Sequence, residues 1–216
     1  MTQIWKLILK DLQMDFRNKY PFLSIPLYLA AIIYISYLSF QGLINNSNWN
    51  ALFWMILLFT MVTAIGRSFL QEQDRSMYYY FLVNPQILIT AKLIYQLLYT
   101  SVLCLLAFLL MQIYFPREIP DLGLFIFNLV LATIGLSSAF TMVSSIASGA
   151  SNQGNLMAVM GFPAAIPILV LSVTNSRKIL MGASLSDIKG NVTTLVSVDV
   201  VIIALVFLLF PYSWKK

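Results

Sequence analysis

Apolar positions in this chain run in long blocks rather than short alternations, and brief polar segments separate the blocks. Six blocks can cross a hydrocarbon layer of ~30 Å, which takes roughly 17 to 25 residues as helix. They fall at about 22–40, 50–70, 87–114, 122–148, 156–174 and 194–212. Ahead of them, residues 4 to 17 follow another pattern, IWKLILKDLQMDFR. Ile4, Ile8, Leu12 and Phe16 make an i, i+4 row with Trp5 and Leu9 beside it, while Lys6, Lys10, Gln13 and Arg17 fall opposite. A helix so divided lies along a membrane surface. It is expected on the inner leaflet until Pro21 turns the chain into the first span, either as a plain anchor or as an elbow clasping its neighbours.

Composition carries the same message. Of the 216 residues 60% are hydrophobic and 10% charged, against roughly a quarter charged in soluble domains. The pattern predicts an all-α membrane protein of six transmembrane helices preceded by the amphipathic helix of residues 1–20. The joining segments are too short to hold a second core, so residues 1–216 form one domain. The basic N-terminus lacks a separate short apolar run ending in a cleavage site, so an uncleaved protein is expected.

Lys and Arg in the joining segments set orientation, because they resist translocation. With the N-terminus inside, nine lie on the inner side (Lys6, Lys10, Arg17, Lys19, Arg67, Arg75, Lys92, Lys215 and Lys216) and four outside (Arg117, Arg177, Lys178 and Lys189). Both termini are therefore placed in the cytoplasm. The net charge of +5 is mostly this bias, together with attraction to the anionic lipid of the bilayer, and no folded basic and aromatic face suggests nucleic acid.

Several chemistries are excluded. The chain contains no histidine, which removes His metal sites, His general bases and His haem ligation. Cys104 is the single cysteine; it has no disulfide partner and reads as a small apolar side chain. No phosphate-binding Gly-Lys-Ser/Thr loop is present, so uphill movement must draw on a gradient or on an ATPase carried by another chain. A gradient-driven carrier buries several ionisable groups near the bilayer midplane. This sequence offers at best Asp199, expected about five residues inside the sixth span at ~1.5 Å each, where the outer headgroups are within its reach.

Helix packing has its own signals. In the fourth span Gly135, Ala139, Val143 and Ala147 form an i+4 row with Ser138, Ser145 and Ser148 nearby. Small residues let helix backbones approach; the serines either share that packing or line a substrate path. In the fifth span Pro163 and Pro167 remove the helical donors of the carbonyls at Val159 and Pro163, and the resulting kink is met either by neighbouring helices or by a cavity. Outside, Pro116 and Pro120 define the corner between spans three and four, and Trp49 is expected at the lipid interface, where indoles settle. The Asn45 and Asn191 tripeptides match glycosylation acceptors, but so short a pattern carries no weight.

The longest inner segment, SFLQEQDRSMYYYFLVNPQILITAK at 68–92, joins spans two and three. Phe69, Met77, Phe81 and Leu82 with Glu72, Asp74 and Arg75 fit a short helix along the membrane, apolar toward the bundle and charged toward the cytoplasm. An ordinary amphipathic loop fits the same residues.

Six spans, the N-terminal helix and FLQEQDRSMYYYFLVNPQILITAK together resemble the membrane subunit of type-2 ABC exporters. The resemblance is to the CcmB-type haem exporter subunit of cytochrome c maturation, and LATIGLSSAFTMVSSIA and GFPAAIP are similar to that family's fourth and fifth spans. The chain departs at Ser76, where a Gly is common, and at the uncharged SGASNQGN between spans four and five, where basic residues are usual. The resemblance implies a half-transporter without enzymatic activity in the bacterial inner membrane. Residues 68–85 become a coupling helix, with Glu72, Gln73, Asp74, Arg75, Ser76, Met77, Pro85 and Lys92 linking to the ATPase, while Gly135, Ala139, Pro163 and Pro167 serve helix packing and kinking. Implied partners are a CcmA-like ATPase dimer that holds the ATP, a second copy of this chain, a CcmC-like protein that handles the haem, and a CcmD-like small peptide. No cofactor is implied for this chain itself. ATP hydrolysis in that system is linked to haem export or to release of a haem-loaded chaperone. Rival readings are a generic ABC-2 permease for a lipid or drug, a gradient-driven secondary carrier, and a membrane scaffold without transport.

Overall fold

The computed structural model describes residues 2–17, 19–70, 84–147 and 153–213. Among them the regular structure is entirely helical: α1 Thr2–Arg17, α2 Lys19–Phe40, α3 Asn46–Leu70, α4 Pro85–Tyr114, α5 Leu122–Ala147, α6 Gln153–Leu180 and α7 Leu185–Ser213. The last six are long and apolar enough to cross a membrane, in agreement with the six blocks of the sequence. Pro21 does not make the first turn, since α1 ends at Arg17 and Pro21 lies in the opening turn of α2. A proline is tolerated there because the first amides of a helix have no intrahelical acceptor.

Local chemistry explains the helix boundaries. Asn45 Oδ1 accepts from the amide of Asn48 at 2.7 Å to start α3, Asn84 Oδ1 accepts from Gln86 N at 3.1 Å to start α4, and Asp121 Oδ1 accepts from Leu124 N at 2.9 Å to start α5. Each satisfies an orphan donor of a first turn. Ser184 and Asp187 begin α7 with one half of a capping box, Asp187 Oδ2 accepting from both the amide and the hydroxyl of Ser184 at 2.9 Å. The end of α6 is a Schellman turn: Ala183 N donates to Lys178 O, Gly182 N to Ile179 O, and Gly182 takes φ +85°, a conformation that glycine adopts without a steric penalty.

α5 is the hub of the bundle, packed against α3, α4, α6 and α7. Its N-terminal half meets a cluster of rings: Trp49 stacks on Phe53 at 5.4 Å, and Phe53, Phe108 and Phe125 approach one another at 5.5 to 6.3 Å. Trp49 is fully buried and its Nε1 donates to Phe115 O at 3.2 Å. That corrects the expectation of an interfacial indole. The ring fills the bundle end because a backbone carbonyl, freed where α4 stops, satisfies its N–H.

α1 packs on α4 and α2. Ile8 is buried with Ala91 and Tyr95, and Ile4 and Leu7 join them, whereas Trp5 is 60% exposed and Leu9 and Leu12 are also exposed. The apolar face is thus shared: one stripe grips α4, and the other is left for lipid. The gripped stripe fits the elbow alternative.

Candidate functional site

Glu72, Gln73, Asp74, Arg75, Ser76 and Met77 lie outside the described residues, as does most of the expected coupling helix at 68–85. α3 ends at Leu70 and α4 begins at Pro85, with Pro85 as first helical residue, the position where its missing amide costs nothing. Two turns on, Lys92 sits on the buried side of α4 with 4% of its surface exposed. α1 packs against this same end of α4 through Ala91 and Tyr95, and the end of α7 joins through Val206 and Phe210, clustered with Leu88 and Ile89. The amphipathic helix, the roots of the 71–83 segment and the last turns of α7 therefore gather at one end of the bundle.

The small-residue row of α5 is a packing surface. Gly135, Ala139, Val143 and Ala147 are all buried. Gly135 admits α6 and α7 so closely that a Cβ there would stand 3.1 Å from Ile168 Cδ1 and 3.0 Å from Asp199 Cγ, and would collide with Asp199 Oδ1. Ser144 Oγ donates to Met157 Sδ at 3.2 Å and Ser145 Oγ to Met142 O at 2.6 Å, so these hydroxyls are spent within the bundle. Pro163 and Pro167 both lie inside α6, which continues unbroken through them.

A polar cluster in the half of the bundle away from α1 escaped the sequence reading. Asn128 Nδ2 donates to Ser172 O at 3.0 Å, Asn175 Nδ2 to Asn128 Oδ1 at 3.1 Å, Asn50 Nδ2 to Val173 O at 2.9 Å, and Trp54 Nε1 to Ser176 Oγ at 2.7 Å. One turn of α6, residues 172–176, is thereby tied to both α3 and α5. Hydrogen bonds of this kind hold helices together where lipid removes the hydrophobic drive. The available signal was the recurrence of Asn and Ser inside apolar blocks.

Asp199 also departs from expectation. α7 begins at Leu185, nine residues before the apolar block read from the sequence, so Asp199 lies at the middle of a helix of 29 residues. Gly135 is likewise central in α5. Asp199 is 4% exposed, and neither carboxylate oxygen has a hydrogen-bond partner. The acid is thus enclosed at the level of Gly135 and Ile168, each near the centre of its own span, instead of at a span end.

Length, six spans and the order of the helices narrow the possibilities, and comparison with known families decides between them: the family model described as CcmB protein matches residues 2–215. The chain belongs to the CcmB family. No curated protein and no solved structure matches it. As a CcmB-family chain it is a multi-pass membrane component of the cytochrome c maturation ABC transporter, the permease side of that system. The match covers both α1 and the segment between α3 and α4.

Proposed function

We propose that this CcmB-family chain is a half-transporter of the bacterial inner membrane, with both termini in the cytoplasm. Two copies work with two copies of a cytoplasmic ATPase, beside a CcmC-like haem-handling protein and a CcmD-like peptide. The family match across residues 2–215 carries this reading. The gathering of α1, the roots of the 71–83 segment and the end of α7 at one face supports it, since a partner docking there would touch three elements at once. ATP closes the partner dimer, which pushes on the segment around Glu72 to Arg75. The rooted ends of α3 and α4 pass that push to the bundle, with Lys92 and Pro85 fixing the base of α4. Haem stays with the partner protein, consistent with a chain that has no histidine to ligate it.

Charge reversal tests the docking. Removing one side of a paired charge at a docking surface costs several kcal/mol, largely as faster dissociation. Glu72→Arg with Asp74→Arg is expected to leave the chain inserted, yet abolish both co-purification of the ATPase and cytochrome c assembly. Glu118→Arg, in the loop at the opposite end, is expected to preserve both. Retention of the ATPase and normal cytochrome production by the double variant would refute the coupling role of this segment.

A further inference from the structure

Among the described residues, Asp199 is an ionisable side chain that stands at the middle of its span, 96% of its surface covered by the protein itself, with no donor for either oxygen. An ionised carboxylate there would need charge or hydrogen-bond donors to replace water. None faces it. α5 contributes no titratable side chain anywhere in Leu122–Ala147 and presents Gly135 to the carboxyl. On α6 the charged groups are Arg177 and Lys178, in the last turn, nine or more residues beyond Ile168 and so roughly 14 Å farther out. On α4, Tyr95 stacks with Tyr99, Cys104 Sγ accepts from Thr133, Tyr114 packs on Tyr34 and Tyr37, and Lys92 has interactions of its own. The charges of α7 itself, Asp187 and Lys189, lie in its first turns.

We propose that Asp199 is a proton-binding site at the membrane midplane, holding a proton while α5 and α7 are packed as here. The ligand is the proton alone: the neutral acid forms from the carboxylate and one proton taken from water, and loses it to water when the seam opens. Gly135 is the structural counterpart, because its missing side chain is what lets the carboxyl lie flat against α5. Gln96 adds a second polar element. Both of its amide atoms are buried without a partner. The pairing of Leu88 and Ile89 with Val206 and Phe210, on antiparallel helices, puts Gln96 near the depth of Asp199. Water admitted between α4, α5 and α7 would therefore find two polar groups at one level. In the neutral state the seam stays dry and closed; loss of the proton leaves a charge that only a hydrated seam accommodates. The device is separate from the ATPase docking and does not depend on it.

The test is infrared spectroscopy of the full chain in lipid nanodiscs near pH 7, with carboxyl-13C aspartate. Of the six aspartates, one is expected to show the carbonyl stretch of a protonated acid, shifted by the isotope label and by D2O, and to lose that band entirely in Asp199→Asn. Absence of any protonated aspartate band overturns the proposal, as does a band that persists in the Asn variant. Should Asp199→Asn fail to insert, Asp199→Glu with unlabelled glutamate replaces it. The band must then lose its isotope shift, and a band that keeps the shift belongs to another aspartate and overturns the assignment.

Discussion

Gly135 and Asp199 form a size exchange across two helices: one position gives up a side chain so that the other can place a carboxyl inside the bundle. Gly135→Ala puts a methyl where Asp199 Oδ1 lies. Overpacking of a close contact typically costs about 1–3 kcal/mol. A loss of that size, read as a thermal midpoint of the detergent-solubilised chain lower by about 2–4 °C per kcal/mol, is expected. Asp199→Ala frees the same space, so Gly135→Ala combined with Asp199→Ala should recover most of the loss, and a double variant merely as weak as the sum of the two singles would show that the positions do not compete. Gly161 meets Phe140 similarly, a Cβ there standing 3.0 Å from Phe140 Cε1. Both close approaches center on α5.

At the level of elements, the molecule is held by ties between α6 and its neighbours more than by periodic amphipathicity, which spanning helices lack because nearly every face is apolar. Asn128 is the most connected of these ties, donating to α6 backbone and accepting from Asn175. Asn128→Ala strands Asn175 Nδ2 in a dry interior, although unfolded helices in a membrane also find partners, which lowers the net effect. The expected loss is about 1–2 kcal/mol in a denaturation series. Thr174→Val serves as reference, since Thr174 is exposed and donates to Val170 O of its own helix at 2.6 Å; it should change stability little. An Asn128 variant as stable as the reference would mean that the cluster fills space without holding α6. α1 follows a different rule: its stripe of Ile4, Leu7 and Ile8 was visible in the sequence as part of one apolar face, but its division between protein and lipid depended on where α4 lies.

For the whole molecule the decisive quantity is orientation, which rests on nine inner against four outer Lys and Arg. Cysteine placed at Asn48 or Met181, both exposed at the end opposite α1, should react with an impermeant maleimide from outside intact cells. Cysteine at Ser76 should react only after permeabilisation. Cys104 is buried and contributes no background. Labelling of position 76 from outside would invert the topology and remove the ATPase from reach of the 68–85 segment.

Span number, all-helical class, the surface helix and the small-residue row were legible from residue order alone, because each follows from local free energy: an apolar block of sufficient length must satisfy its backbone internally as helix, whatever its neighbours. The motifs at 69–92 and in the fourth and fifth spans, in their order along the six blocks, were enough for a resemblance to the CcmB family. The depth of Asp199, the burial of Trp49 and the hydrogen bonds around Asn128 were not legible in this way. Each depends on which helix stands opposite. Asp199 reads as near the surface from its place in the apolar block, and is found central because it packs against Gly135, at the middle of α5. Trp49 needs a carbonyl from residue 115, 66 positions away, and Asn128 needs the turn at 172–176. A chain records the demand of each polar group for a partner, but only the packing of the helices decides which partner comes within 3 Å, and whether, as at Asp199, none does.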